Sequence, residues 1–248
     1  MDFIGDVVAW FANGENWAGP EGVPTRLLEH LALSAIPLAI AMLIALPLGA
    51  WIGHTGRAAN LVINITNIGR AIPSLAILAM ATMLLNVPLV NAGLRRESAE
   101  IATIIAMTAL AIPPILTNTY VAISEVDRDL VDAGRGMGMR ATQILGRIEV
   151  PVGLPIILVG IRTAAVQVVA TATLGAVFAT GGLGRYIVDG IAQQGNDEVF
   201  AGALLVAGLS IATELTFAAI QRRAVSPGLR GREPAARLPA PIGRPGGI

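Results

Sequence analysis

Five apolar runs, each about 20 residues long or more, decide what this 248-residue chain can fold into. An α-helix needs about 20 apolar residues to cross the hydrocarbon core of a bilayer. Each run therefore predicts one membrane-spanning helix, and the fold class is predicted to be all-α, a polytopic membrane protein with about five transmembrane helices. The predicted spans lie near Leu31–Ile52, Ile63–Leu85, Ile101–Ile123, Leu154–Thr180 and Val199–Ile220.

The composition agrees with a chain that keeps most of its surface in lipid. Charged residues make up 14% of the sequence and hydrophobic residues 54%, whereas a soluble domain carries about 25% charged residues. The mean hydropathy is +0.68. We therefore expect a multi-pass protein of the cytoplasmic membrane, with lipid around it and no nucleic acid as a partner.

The distribution of arginine predicts the orientation of the spans. With five spans and the N-terminus outside, the inner segments 53–62, 124–153 and 221–248 hold eleven arginines, and the outer segments hold four. Short loops on the cytoplasmic side carry an excess of Lys and Arg. The N-terminus is therefore predicted to lie outside and the C-terminus in the cytoplasm.

Both termini differ in composition from the apolar middle of the chain. Residues 1–26 hold four acidic residues, one arginine and the tryptophans Trp10 and Trp17, which indicates an extracytoplasmic interfacial segment or a loose polar terminus. Residues 221–248 are rich in Pro, Gly and Arg, which predicts a disordered cytoplasmic tail. Its arginines could contact anionic lipid, but a solvated tail is favoured.

The longest polar interval between apolar runs, residues 124–153, has helical periodicity of its own. Apolar residues recur at helical spacing in two pieces, and a glycine-rich run, Gly134 to Gly138, lies between them. Glycine permits backbone conformations that other residues avoid. We predict two short helices joined by a glycine turn, displayed beside the membrane as a docking element.

Signals for catalysis and for metal binding are weak. The two histidines, His30 and His54, lie on different segments, so a histidine metal site is not expected. The chain has no lysine and hence no phosphate-binding loop, and Met139 stands where a dinucleotide fingerprint requires glycine. We expect no catalytic residue, no metal and no cofactor in this chain.

Polar residues inside the predicted spans are the remaining candidates, because polar groups are costly to bury in lipid. Any of them could line a translocation path, or they could form hydrogen bonds between helices. For Arg162 and Glu214, an ion pair with each other is an equal alternative to a contact with the solute. Arg70 precedes Ala71-Ile72-Pro73, where a broken helix could place its side chain near the inner interface. The candidates for the path are Asn118, Arg162, Gln167 and Glu214.

The polar interval resembles the cytoplasmic signature of permease subunits of ATP-binding-cassette (ABC) importers. That signature has the form EAA-x3-G-x9-I-x-L-P, and the matching residues are Asp132-Ala133-Gly134, Gly138, Ile148 and Pro151. Three positions depart from it: Asp132 replaces Glu, Gly134 replaces Ala and Val150 replaces Leu. Gly134 should make the first short helix more flexible than alanine would.

Further segments resemble the osmoprotectant branch of that family, whose members carry glycine betaine, carnitine or choline. The resemblance covers residues 27 to 215, and it implies a type-1 permease domain over residues 27–220 with the coupling loop at 124–153. Permeases for methionine or sulfonates share the same skeleton and remain alternatives. The matching segments are 69–76, 113–120, 136–138, 160–164 and 181–184.

The resemblance implies partners and roles for the matched residues. It implies a cytoplasmic ATPase subunit that binds ATP, a second permease subunit forming a homo- or heterodimer, and an extracytoplasmic solute-binding protein. The coupling element would lie in a cleft of the ATPase, where Ala133 and Gly134 keep one face small. Gly138 would form the turn, and Arg135 and Arg140 would pair with acidic groups at the cleft rim.

Two other classes stay open on the residues alone. A secondary transporter or channel would show inverted repeats, and no convincing half-to-half repeat is present. A membrane enzyme acting on lipid would need clustered His or Asp residues near an interface, and the chain lacks such clusters.

Overall fold

The structure is a computed structural model that describes residues 3–95, 97–178 and 180–225, without the side chains at positions 61, 63, 65, 67, 68 and 70. Within these ranges every regular element is helical, as the sequence predicted. The helices are α1 (Phe3–Ala12), α2 (Val23–Thr55), α3 (Ala59–Ala71), α4 (Ser74–Asn91), α5 (Ser98–Ser124), α6 (Arg128–Gly136), α7 (Ala141–Ile144), α8 (Val150–Gly175), α9 (Gly184–Gln193) and α10 (Asn196–Ala224). A π-helical segment, Leu145–Glu149, joins α7 to α8, so that Ala141–Phe178 forms one continuous candidate span.

Five helices among the described residues are long and apolar enough to cross a membrane, which confirms the predicted number. The second span differs from its predicted bounds of Ile63–Leu85. Helix α3 ends at Ala71, and the span itself is α4, which begins at Ser74. Pro73 causes this break, because it has no backbone N–H and it disfavours a helical conformation at Ile72.

Prolines inside the first and third spans do not interrupt their helices. Pro37 and Pro47 lie inside α2, and Pro113 and Pro114 lie inside α5. The break at Pro73 is thus the one place in the described part of the chain where a proline divides a predicted span.

The core is a three-helix layer in which α5 packs on both α2 and α8, and α2 and α8 also contact each other. Glycines on the outer two helices bring the backbones together. A Cβ atom at Gly49 would lie 2.8 Å from the Thr119 Cβ, and one at Gly160 would lie 2.6 Å from the Asn118 Cβ. Small residues of this kind permit close helix approach in lipid, where van der Waals contact drives association.

Helix α10 packs on α8 and α9, and the N-terminal helix α1 packs on α10. The rings of Phe3 and Phe200 meet edge to face with their centroids 5.3 Å apart, and Trp10 meets Tyr186 at the same separation. The predicted tail begins inside α10, which continues to Ala224, and its residues 226–248 lie outside the described part of the chain.

The close packing of α8 on α5 makes Gly160 intolerant of a larger residue. We expect Gly160→Ala to lower the free energy of unfolding by about 1–3 kcal/mol, because the new methyl group would overlap Asn118 and the Pro114 carbonyl oxygen. The measurement is thermal or denaturant unfolding of the detergent-solubilised protein. Gly208→Ala is the matched control, since a Cβ there meets nothing within 4 Å. Equal stability of the two variants would contradict the packing described for the core.

Candidate functional site

The predicted docking element begins with helix α6, which the residue before it caps. The Asp127 side chain accepts a hydrogen bond from the Asp129 backbone N–H at 3.0 Å, which satisfies one of the free donors at the start of the helix. Asp132 and Arg135 form an ion pair of 2.9 Å along the exposed face of α6. Their side chains are 66% and 65% exposed, so the pair adds little stability. Ala133, between them in sequence, is also exposed.

The turn after α6 has the geometry that the sequence predicted for Gly138. Gly138 has a φ of +79°, in the left-handed region. Its N–H donates to the Arg135 carbonyl oxygen at 2.9 Å, and the Met139 N–H donates to the Gly134 carbonyl oxygen at 3.1 Å. This pair of bonds is the Schellman motif, which ends a helix at a residue that is usually glycine. Helix α6 therefore ends in a sharp turn with Met137 exposed at its tip.

Gly134 has a packing role that the sequence did not reveal. It is buried, and a Cβ there would lie 2.8 Å from the Ile148 Cδ1 and 3.5 Å from the Ile144 Cγ1. From the sequence we expected a more flexible helix at this position, and the family resemblance implied a small residue that faces the ATPase. The structure instead uses the missing side chain to bring α6 against the segment that leads into the fourth span. The two ends of the signature are therefore in contact.

The second half of the docking element differs from the prediction of a separate short helix. Helix α7 begins after Arg140, whose N–H donates to the Gln143 Oε1 at 2.8 Å, and it continues through the π segment into α8. The π segment lies shortly before Pro151, which has no N–H and therefore cannot donate a helical hydrogen bond. Just before this proline, the Val150 N–H donates to the Leu145 carbonyl oxygen five residues earlier, which is the hydrogen bond of a π-helix.

A polar cavity of about 440 Å³ lies behind α6, where the end of α2 and the end of α5 meet the π segment. The His54 Nδ1 and the Glu149 Oε2 lie 2.6 Å apart at its wall. Sequence reasoning considered His54 only as a metal ligand and did not consider Glu149. The contact joins residues 95 positions apart, and no local pattern reports such a contact.

The four residues predicted to line a path do not form one cluster. Arg162 on α8 and Glu214 on α10 form an ion pair, one of the two alternatives that the sequence allowed. Asn118 donates to the Pro114 carbonyl oxygen of its own helix at 2.8 Å, and Gln167 is exposed on α8. Arg70 lies on α3, and its side chain is outside the described part of the structure.

At the opposite end of the bundle, the start of α2 holds the connection between α8 and α9. The Gly182 N–H donates to the Glu29 Oε2 at 2.8 Å, and Arg26 donates to the same oxygen at 3.0 Å. The Tyr186 hydroxyl donates to the Glu21 carbonyl oxygen at 2.6 Å. Burial raises the pKa of Tyr186 to about 12, so this hydroxyl keeps its proton at neutral pH.

Comparison with known proteins identifies the family. The family model described as "Binding-protein-dependent transport system inner membrane component" matches residues 45–231, which is most of the chain. The chain belongs to this family. It is thus a permease subunit of an ABC importer and a multi-pass protein of the cell membrane, as the sequence predicted, and it is a transport component rather than an enzyme. Membership implies an ATPase partner and a solute-binding protein.

Two relatives and one solved structure illustrate the match. The chain is 34% identical over 203 residues to the glycine betaine/carnitine/choline transport system permease protein OpuCB of Bacillus subtilis, covering 82% of this chain and 88% of that one. It is 34% identical over 223 residues to the carnitine transport permease protein OpuCD of Listeria monocytogenes, covering 90% and 93%. A structure of the MetNI methionine ABC transporter in an inward-facing conformation shares the fold, with a TM-score of 0.68, 22% identity, and coverage of 82% and 96%.

The ion pair between α8 and α10 predicts a coupled response to substitution. Arg162→Gln leaves the Glu214 carboxylate without its partner inside a candidate span, so we expect a lower unfolding temperature in detergent. The double variant Arg162→Gln/Glu214→Gln should recover part of that loss, because neither charge is then unpaired. Thr163→Ala, an exposed neighbour that bonds within its own helix, is the control. Strictly additive losses in the double variant would contradict the pairing.

Proposed function

We propose that this chain translocates a small quaternary ammonium solute such as glycine betaine, carnitine or choline. The observation that supports this proposal is the match over most of the chain to permeases with those substrates in their names. The solute-binding protein would determine most of the substrate selectivity, because binding a quaternary ammonium group usually requires several aromatic side chains. This chain has only ten aromatic residues in all.

The coupling site is the second part of the proposal. Helix α6 and its glycine turn would enter a cleft of the ATPase subunit, with Asp132, Ala133 and Arg135 on the exposed face. Closure of the ATPase on ATP would then displace α6. The contact of Gly134 with Ile148 supports this role, because it transfers a displacement of α6 to the start of the fourth span. Arg140, exposed just after the turn, and Pro151 complete the coupling segment.

Orientation follows from the arginine bias. We place α6 and the C-terminus in the cytoplasm and the N-terminal segment outside. This arrangement places the hydrogen bond between Glu29 and Gly182 at the extracytoplasmic end, where a solute-binding protein would deliver its ligand.

A second permease subunit, identical to this chain or different from it, would complete the path. Arg162 and Glu214 have side chains that are 34% and 38% exposed, and Gln167 is exposed nearby on α8. Polar groups in a span face protein or water rather than lipid. We infer that these three residues face the partner subunit or the solute path, and that Asn118 contributes to packing of α5 on α8.

The test of this function is ATP-driven uptake of radiolabelled glycine betaine by proteoliposomes that contain the permease, its cognate ATPase and the solute-binding protein. Gly138→Leu should leave the chain inserted in the membrane but strongly reduce uptake. A side chain at a φ of +79° costs about 1–2 kcal/mol per residue, which distorts the turn after α6.

Gly14→Leu is the matched control for this substitution. Its Cβ also meets nothing within 4 Å, and it lies at the other end of the bundle, so uptake should stay near the wild-type rate. Wild-type uptake by the Gly138→Leu variant would refute the coupling role. Uptake of methionine but not of glycine betaine by the wild-type complex would refute the proposed substrate.

A further inference from the structure

A largely buried pair of ionisable side chains lies beside the coupling helix. Glu149 occupies the unspecified position between Ile148 and Val150 of the ABC-importer signature, and His54 lies outside that signature. The Glu149 side chain is 6% exposed and the His54 side chain is 16% exposed, and the Nδ1 to Oε2 separation is 2.6 Å. Glu149 is one of the few charged residues buried anywhere in the described part of the chain. A carboxylate is costly to remove from water unless it is paired and hydrogen-bonded.

The local structure around each member explains how the pair forms. His54 lies in the last turn of α2. Glu149 is the last residue of the π segment. A π segment is commonly found at functional sites, and it rotates the residues before it relative to those that follow. The π segment thus sets the direction in which the Glu149 side chain points from the start of the fourth span.

The pair is one of few polar connections between α2 and the coupling segment. Helix α6 contacts the π segment at Ile148, and Glu149 follows directly in sequence. The pair therefore extends the contact from α6 to α2. The other charged side chains that line the adjacent cavity are Arg128, Asp132 and Arg135, all on α6. Two of them form their own ion pair, and His54 remains the partner of Glu149.

We propose that His54 and Glu149 are positioning residues that transmit the displacement of α6 to the first span. Without them, movement of α6 would reach α8 through Ile148 and would reach α2 through the packing of α2 on α8 and α5. The pair adds a direct polar connection from the coupling segment to α2. The inference rests on the proposed coupling function, and it assigns to the pair a role in the ratio of transport to ATP hydrolysis.

The central variant is His54→Leu/Glu149→Leu, which replaces both polar groups by apolar ones of similar size. Such replacements of buried pairs are often neutral for stability. We therefore expect this variant to fold and to assemble with the ATPase. We expect ATP hydrolysis by the complex to stay near the wild-type rate, while glycine betaine transported per ATP falls at least about fivefold. A purely structural role would lower both rates together or neither.

The exchanged variant His54→Glu/Glu149→His is the rescue arm. It restores a histidine–carboxylate contact between the same helices, so transport per ATP should return towards the wild-type value. Thr55→Ala is the matched control at the same helix end, since Thr55 is exposed and its hydroxyl bonds to the Trp51 carbonyl oxygen of its own helix. Its transport per ATP should not change.

The outcomes separate this inference from the proposed function. Absence of ATP-driven uptake by the wild-type complex would refute the proposed function. Wild-type uptake together with unchanged transport per ATP in the leucine variant would overturn only the role of the pair. If the leucine variant does not assemble, the exchanged variant decides: transport per ATP at the wild-type level supports the inference, and an assembled but uncoupled complex overturns it.

Discussion

Close approach of α5 to α2 and α8 is the constraint on which the rest of this structure depends. Water cannot drive helices together inside a bilayer, so contact between backbones must supply the association energy. Gly49 and Gly53 on α2 and Gly153 and Gly160 on α8 provide that contact, since a Cβ at any of them would lie 2.6–2.8 Å from an atom of α5. The remaining spans, α4 and α10, pack around this layer.

The coupling segment is attached to this layer at two places with different chemistry. The contact of Gly134 with Ile148 is apolar and close, and it joins α6 to the fourth span. The contact of His54 with Glu149 is polar and partly buried, and it joins the first span to the same segment. Because α2 and α8 both pack on α5, a displacement of α6 can act on the layer from its two outer helices. A permease needs such a connection to change conformation as a unit.

Much of this architecture follows from local sequence patterns. Apolar run length predicts five spans, and a glycine at position 138 with the signature spacing predicts the turn that ends α6. Features that depend on contacts between distant segments could not be predicted. The pairing of His54 with Glu149 is one, and the packing of Gly134 on Ile148 is another. A proline in an apolar run indicates a kinked or broken helix, and the break at Pro73 agrees with that expectation. The continuity of α7 with α8 was missed because apolar periodicity does not report where a helix ends inside an amphipathic run.

The most direct test of the account is where the tip of α6 lies in the assembled transporter. The sequence contains no cysteine, so Met137→Cys introduces a unique thiol in this chain at a position that is 75% exposed. A thiol-reactive photo-crosslinker on this residue should yield a covalent adduct with the cognate ATPase whose amount changes when ATP is bound. The same reagent on Gln194→Cys, at the opposite end of the bundle, should yield none. An adduct from Gln194→Cys but not from Met137→Cys would contradict both the orientation and the coupling role of α6.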